Sequence, residues 1–342
     1  MFKLSKKAIG LLLIGVVLFV AGAALWIIVP ESATNVSDEA PWGVYIASFL
    51  LFEALCVGLL FFGAYMKDRF MVGLGIAAAC ATGISIGFDV GSPLVMWRLL
   101  LTPNLSAPMI LDVWFLGACV VFGFALWLCL MLGKEKLANI SAVATQIAAV
   151  LLPLGTAWLF TTLSGMPGWN SSLEIAVFIV QAAAVGLAIA CLRKPEWNKA
   201  AMYALAVLLI VNVAEVGYTL YSGEELASEV IFFGQFAPAY WVTLAAGVVL
   251  SMLLMGMNKA KPVAAALTIA GVAASKYLYI VKGNLFPYYN WGGKVTMPFE
   301  TMMDGHTMMV YAPAPIELVI CLGAVGLFMA VAAVLCCGSK EE

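Results

Sequence analysis

The chain has 342 residues, 64% of them hydrophobic and 11% charged, with a net charge of −2 and a mean hydropathy of +1.04. So high an apolar fraction excludes a soluble domain, whose apolar share is near one half. With no basic face to gather phosphates, nucleic acid is excluded as a partner. The natural solvent of such a chain is the lipid bilayer.

Met1 to Lys7 is short and basic, and residues 8–29 are apolar throughout. A signal peptide would have a shorter apolar core and a small-residue cleavage site, so this stretch reads as a retained first span. Apolar runs of about 20 residues, the length a helix needs to cross hydrocarbon, follow at 41–66, 70–91, 109–133, 139–163, 173–192, 200–221, 238–257, 262–282 and 313–336. Helices satisfy their own backbone polar groups in lipid. The expected fold is therefore all-α and polytopic, with ten transmembrane helices.

The connections set the orientation. Thirteen of the 17 basic residues, from Lys3, Lys6 and Lys7 to Lys340, lie at the termini or in alternate connections on one side. That side is expected to be cytoplasmic, with both termini inside the cytoplasmic membrane. The other connections are acidic or neutral and rich in Pro, Gly, Trp and Tyr. The last of them, 283–312, is too long for a mere connector, and its Lys294, Asp304 and His306 are expected to dock a partner.

An offset of 126 to 127 residues matches Trp42 to Trp169, Asp89 to Glu215 and Trp114 to Trp241. This relates spans 2–5 to spans 6–9 in the same orientation. The expected division is a first span and loop (1–40), a four-helix bundle (41–163), a second (164–282), and a long loop with the last span (283–342). Spans 1 and 10 are peripheral.

Charged side chains inside a membrane call for a function. Glu53 lies about 11 residues into span 2, roughly 16 Å deep at 1.5 Å per residue. Asp89 ends span 3, Asp112 is a turn into span 4, and Arg98 lies between them beside Trp97. Glu215 is two turns below the end of span 7, and Glu317 one turn inside span 10. Glu174, Asp112 and Glu317 enter at helix N-termini, where the dipole welcomes a carboxylate and a cap explains it as well as chemistry does. An ion pair with Arg98 is the structural explanation for Asp89. Glu53 has no cation nearby in sequence.

The eight cysteines are scattered, without a C-x-x-C, and there is one histidine, His306. No iron–sulfur cluster, metal site or haem is expected in this chain.

Several of these residues fall into motifs. Pro41-Trp-Gly opens span 2. Asp89-x-Gly-x-Pro is followed by Trp97, Pro103, Ser106-x-x-Met109 and Trp114. Tyr311-x-Pro-x-x-x-Glu317 precedes span 10, and Pro167-Gly-Trp-Asn precedes span 6. Together they resemble the NrfD / polysulfide-reductase membrane-subunit family in its ten-span branch. The chain departs at Ser92, where that family often has Arg, and at Glu53, where many members have a small residue. The resemblance implies a subunit without cofactors of its own that binds a quinone, menaquinone or ubiquinone, near the outer face. It would dock an extracytoplasmic four-cluster iron–sulfur protein serving a molybdopterin enzyme or a multihaem cytochrome c.

On that footing Asp89, Asp112, Arg98 and Glu53 are the expected catalytic groups, and Trp42, Tyr45, Trp97 and Trp114 the expected quinone contacts. Glu215, Glu317 and Tyr311 are the expected second-bundle proton path. The head group is expected between spans 2, 3 and 4. Quinol oxidation releases two protons with two electrons, so carboxylates are needed as acceptors. Whether the chain oxidises quinol or only anchors an enzyme is left open. The alternative is a proton-coupled secondary transporter, since parallel repeats with membrane carboxylates also describe those.

Overall fold

The structure, a computed structural model, describes residues 2–37, 40–90, 97–101, 104, 106–163, 166–169, 173–222, 226–258, 260–286, 300–303 and 306–340. Among them are ten helices long and apolar enough to cross a membrane. In chain order the helices are α1 (Lys6–Ile28), α2 (Val44–Met66), α3 (Arg69–Asp89), the single turn α4 (Arg98–Leu101), α5 (Pro108–Leu132), α6 (Glu135–Thr161), α7 (Leu173–Arg193), α8 (Asn198–Ser222), the short α9 (Leu226–Phe232), α10 (Ala237–Leu244), α11 (Ser251–Gly256), α12 (Lys261–Asn284) and α13 (Pro315–Cys337). A π-helical stretch at Ala245–Leu250 joins α10 and α11 into the eighth span. The fold is an all-α polytopic membrane protein.

Two short ribbons complete it. β1 (Phe2–Leu4) pairs antiparallel with β4 (Gly338–Lys340), and β2 (Glu300–Met303) with β3 (His306–Met309). The first ribbon brings residues 2–4 and 338–340 together on one face, called here the termini face. The face where α2 begins is the loop face.

Two boundaries depart from the hydropathy reading. α6 begins at Glu135, four residues before the apolar run, because a helix continues beyond the lipid that hydropathy detects. α2 begins at Val44 rather than 41. Gly43 precedes it without a side-chain cap, and the Val44 N–H instead donates to the Tyr311 hydroxyl at 2.8 Å. A Cβ at Gly43 would overlap the same phenol.

α2, α3, α5 and α6 pack around one core, and α7, α8, α10–α11 and α12 around another. α2 lies against both α7 and α12, so it is shared between the two rings and is the most enclosed span. Gly58 and Gly186 make that closeness possible: a Cβ at either would strike the backbone of the other helix. At the termini face Asp68 caps α3, accepting from the Phe70 and Met71 N–H groups, and pairs with Arg193 at the end of α7 at 3.1 Å. α1 touches mainly α13. Its buried residues, Ala8, Gly15 and Gly22, recur every seven positions, and the two glycines bring its backbone against Gly323, Gly326 and Ala330.

Candidate functional site

Three groups of buried polar side chains lie in the interior, each built from several helices.

The first joins α2, α5 and α6. Thr156 is fully buried, and its Oγ1 lies 2.9 Å from Glu53 Oε1 and 2.6 Å from Asp112 Oδ1, with the Leu152 carbonyl at 3.2 Å. Pro153, three residues earlier inside α6, lacks an N–H, so this segment of backbone is already irregular in its bonding. A hydroxyl donates one hydrogen. With acceptors on three sides, Thr156 satisfies both carboxyls only when one of them is protonated and donates back. Glu53 Oε2 has no partner among the described residues.

The second joins α7, α8 and α12. Lys282 Nζ lies 2.8 Å from Glu174 Oε1 and 2.8 Å from Glu215 Oε1, with all three side chains buried. One ammonium thus bridges two carboxylates. Glu174 stands in the first turn of α7, where a cap suffices to explain it, but its Oε1 bonds to Lys282. Beside the triad is a cavity of about 50 Å³ lined by Gln181, Asn212, Tyr240 and the π-helical Gly247 and Val248, among others. Tyr240 reaches Asn212 Oδ1 at 3.4 Å, and Gln181 Oε1 is buried without a partner among the described residues. Pocket and ligand sites in bundles favour such mostly apolar hollows with a few convergent polar groups, and π-helical segments recur at functional sites.

The third lies at the loop face. Glu317, fully buried in the first turn of α13, accepts from the Ala314 N–H at 2.5 Å, the Tyr311 hydroxyl at 3.1 Å and the Asn35 N–H at 3.4 Å. Burial and the Glu317 carboxyl push the Tyr311 phenol well above its ordinary value, so it keeps its proton and donates. Tyr45 and Asp89 lie within electrostatic reach of Glu317, and the buried Tyr45 hydroxyl has no partner among the described residues. One turn below, Ser48 bonds to Ser85 at 3.0 Å. From Ser48 and Cys321 an apolar groove of about 400 Å³ runs down between α2, α12 and α13, lined by Leu51, Phe52, Ala273, Leu318, Leu322 and Val325 among others.

The expected site residues are therefore distributed. Glu53 and Asp112 come together through Thr156. Asp89, Tyr45, Glu317 and Tyr311 gather at the loop face, while Glu215 belongs to the triad with Lys282. Glu317 and Tyr311 contact the start of α2 and are separate from Glu215. Trp42 packs between Phe160 and Trp169, with ring centroids 5.0 and 4.9 Å away. Trp97 and Trp114 are half exposed, at 54% and 48%. The exposed Arg98 guanidinium lies 5.7 Å from the Trp97 ring. Ser92, Pro103, Lys294 and Asp304 lie outside the described residues, as does the His306 side chain.

Thr156, Lys276 and Lys282 are polar groups that reading for carboxylates passes over, and Glu174, read as a cap, joins them. A signal existed for the lysines, two of them six residues apart in one apolar span. At 100° per residue they point roughly 120° apart, so α12 offers one to each ring.

The fold and these groups define a class: a multi-pass helical membrane protein with ionisable chemistry enclosed in its membrane domain. No family model matches the chain. Over 189 aligned positions it is 28% identical to a protein of Halobacterium salinarum that is named, provisionally, as a dimethyl sulfoxide reductase membrane subunit. The similarity covers 45% of this chain and 43% of that one, so the chain spans less than half the length of this curated relative.

Proposed function

We propose that this protein is the quinone-reactive membrane subunit of a respiratory oxidoreductase complex. It would exchange electrons between the menaquinone or ubiquinone pool and an extracytoplasmic iron–sulfur subunit, which in turn serves a molybdopterin enzyme or a multihaem cytochrome c. The observation that carries the reading is the lipid-side groove between α2, α12 and α13, which ends at Ser48 and Cys321 beside Tyr45, Asp89 and Glu317. An isoprenoid tail fits walls of Leu318, Val319, Leu322 and Val325. At the head end the free Tyr45 hydroxyl suits a quinone carbonyl, and Asp89 suits the proton that leaves a quinol.

The name of the Halobacterium salinarum relative and the NrfD-like motifs support the same class. The groove shares only α2 with the location expected between spans 2, 3 and 4, and takes α12 and α13, the ninth and tenth spans, in place of the third and fourth. In this reading the loop face is extracytoplasmic, following the basic residues of the termini face. The division at 41–163 and 164–282 belongs to the proposal too, with Trp42 and Trp169 meeting where the two copies touch.

The test is quinol turnover by the purified complex together with photolabelling by an azido-quinone. Asp89→Asn is expected to lower turnover about 100-fold, the scale of one general base. Tyr45→Phe is expected to raise the quinol KM, and label is expected on α2 or α13. Unchanged turnover in both variants, with label elsewhere, rejects the assignment. The π-helical break of the eighth span beside the Lys282 cavity favours one second reading, a proton-coupled transporter. Solute uptake by vesicles holding this chain alone, without a redox partner, would establish it.

A further inference from the structure

We propose that the chain carries a proton relay running through the membrane interior from one helix ring to the other. It leads from the Glu53–Thr156–Asp112 pair in the first ring, through the Lys276 amine, to the Glu174–Lys282–Glu215 triad and its cavity in the second. The inference rests on the quinone reading only for the origin of the protons.

Lys276 is the connecting group. It is 2% exposed, and its Nζ lies 3.2 Å from the centroid of the Phe178 ring. Among the described residues it has no carboxylate within ion-pair distance, yet it lies within electrostatic reach of Glu53 on one side and Glu174 on the other. The ring face supports the charged form, and no contact ion pair locks it there. Depth agrees. Glu53 is nine residues below the start of α2 and Lys276 eight residues from the end of α12, roughly 14 and 12 Å along their helices.

The two ends are suited to donate and to receive. The hydrogen count at Thr156 requires a protonated carboxyl in the pair. At the far end the cavity of about 50 Å³ has room for roughly three waters, each needing about 15 Å³. It has polar walls for them, the unpartnered Gln181 Oε1 included.

Each step moves one proton and no electron. The Glu53 carboxylic acid protonates the Lys276 amine, leaving a carboxylate and an ammonium. The ammonium swings to Glu174 and protonates its carboxylate, regenerating the amine. Glu174 then yields the proton to water in the cavity, and Asp112, protonated in turn by a proton released from quinol, passes it through the Thr156 hydroxyl to Glu53 and returns to the carboxylate.

The test uses the purified complex. Lys276→Met is expected to lower turnover about 100-fold at unchanged quinol KM. Lys276→Arg keeps the charge and the ring contact but never gives up its proton, so it is expected to be equally slow. Restored turnover in Lys276→Arg would show that only charge matters and overturn the relay. A second readout needs no quinol: after transfer to heavy water, the infrared band of the protonated pair, identified by its loss in Glu53→Gln, is expected to exchange more slowly in Lys276→Met. Wild-type exchange there overturns the relay even if turnover is absent. Loss of turnover in Asp89→Asn with full turnover in Lys276→Met fails the relay and spares the quinone reading. If Lys276→Met does not accumulate, Lys276→Gln replaces it in both measurements.

Discussion

Replacing Lys282 by methionine keeps most of the length of the side chain and removes its charge. In the native protein its Nζ is 2.8 Å from one oxygen each of Glu174 and Glu215, and none of the three side chains is more than 9% exposed. The substitution leaves two carboxylates facing each other with no cation, out of reach of bulk water. Breaking a buried pair by removing one partner costs about 3–5 kcal/mol, because the remaining charge stays uncompensated. For a chain of this size each kcal/mol moves the melting temperature by roughly 2 °C, so a fall of roughly 6–10 °C is expected. The protein supplies its own reporter: Cys56, Cys119 and Cys191 are buried free thiols that a thiol-reactive fluorophore reaches only on unfolding. The triple variant Lys282→Met, Glu174→Gln, Glu215→Gln removes every charge and is expected to recover most of the loss. A Lys282→Met protein melting within about 2 °C of wild type, or a triple variant no better than the single one, refutes the reasoning.

Two further outcomes follow from single atoms. Thr156→Val keeps the shape of the side chain and removes the hydroxyl between Glu53 and Asp112; the expected cost is about 1–3 kcal/mol, with a displaced infrared carboxyl band, and an unmoved band would show that the hydroxyl does not bridge the pair. Tyr311→Phe strips the Val44 N–H of its acceptor and Glu317 of one donor, at a similar cost of about 1–3 kcal/mol. Hydrogen exchange at the Val44 amide is expected to accelerate, and wild-type protection there would show that the amide does not depend on the phenol.

The spans were legible because crossing lipid demands an unbroken apolar run, and that demand is local. Their ends were less so. Gly43 looks like any residue opening a helix until Tyr311, far along the chain, fills the space of its missing side chain. The carboxylates were visible because charge is rare in this composition, but their partners were not. Thr156 bridges residues 103 and 44 positions away, and Lys282 reaches back 108 and 67 positions. Glu174 shows the ambiguity at its sharpest. In sequence a helix N-terminus accounts for it fully, whereas in space an ammonium holds it. Arg98, near Asp89 in sequence, is exposed beside Trp97.

The contact between Gly58 and Gly186 bears on electrical leakage. Each lies 13 or 14 residues from the loop-face end of its helix, roughly 20 Å deep and below Glu53 and Lys276. There α2 and α7 meet backbone to backbone, with no room at either glycine for even a methyl group. Along α2 and α7 the two rings are therefore in backbone contact on the termini side of Glu53 and Lys276. A backbone contact at this depth hinders passage of water and protons along the α2–α7 seam from the charged groups toward the termini face, so that seam is a poor leak path.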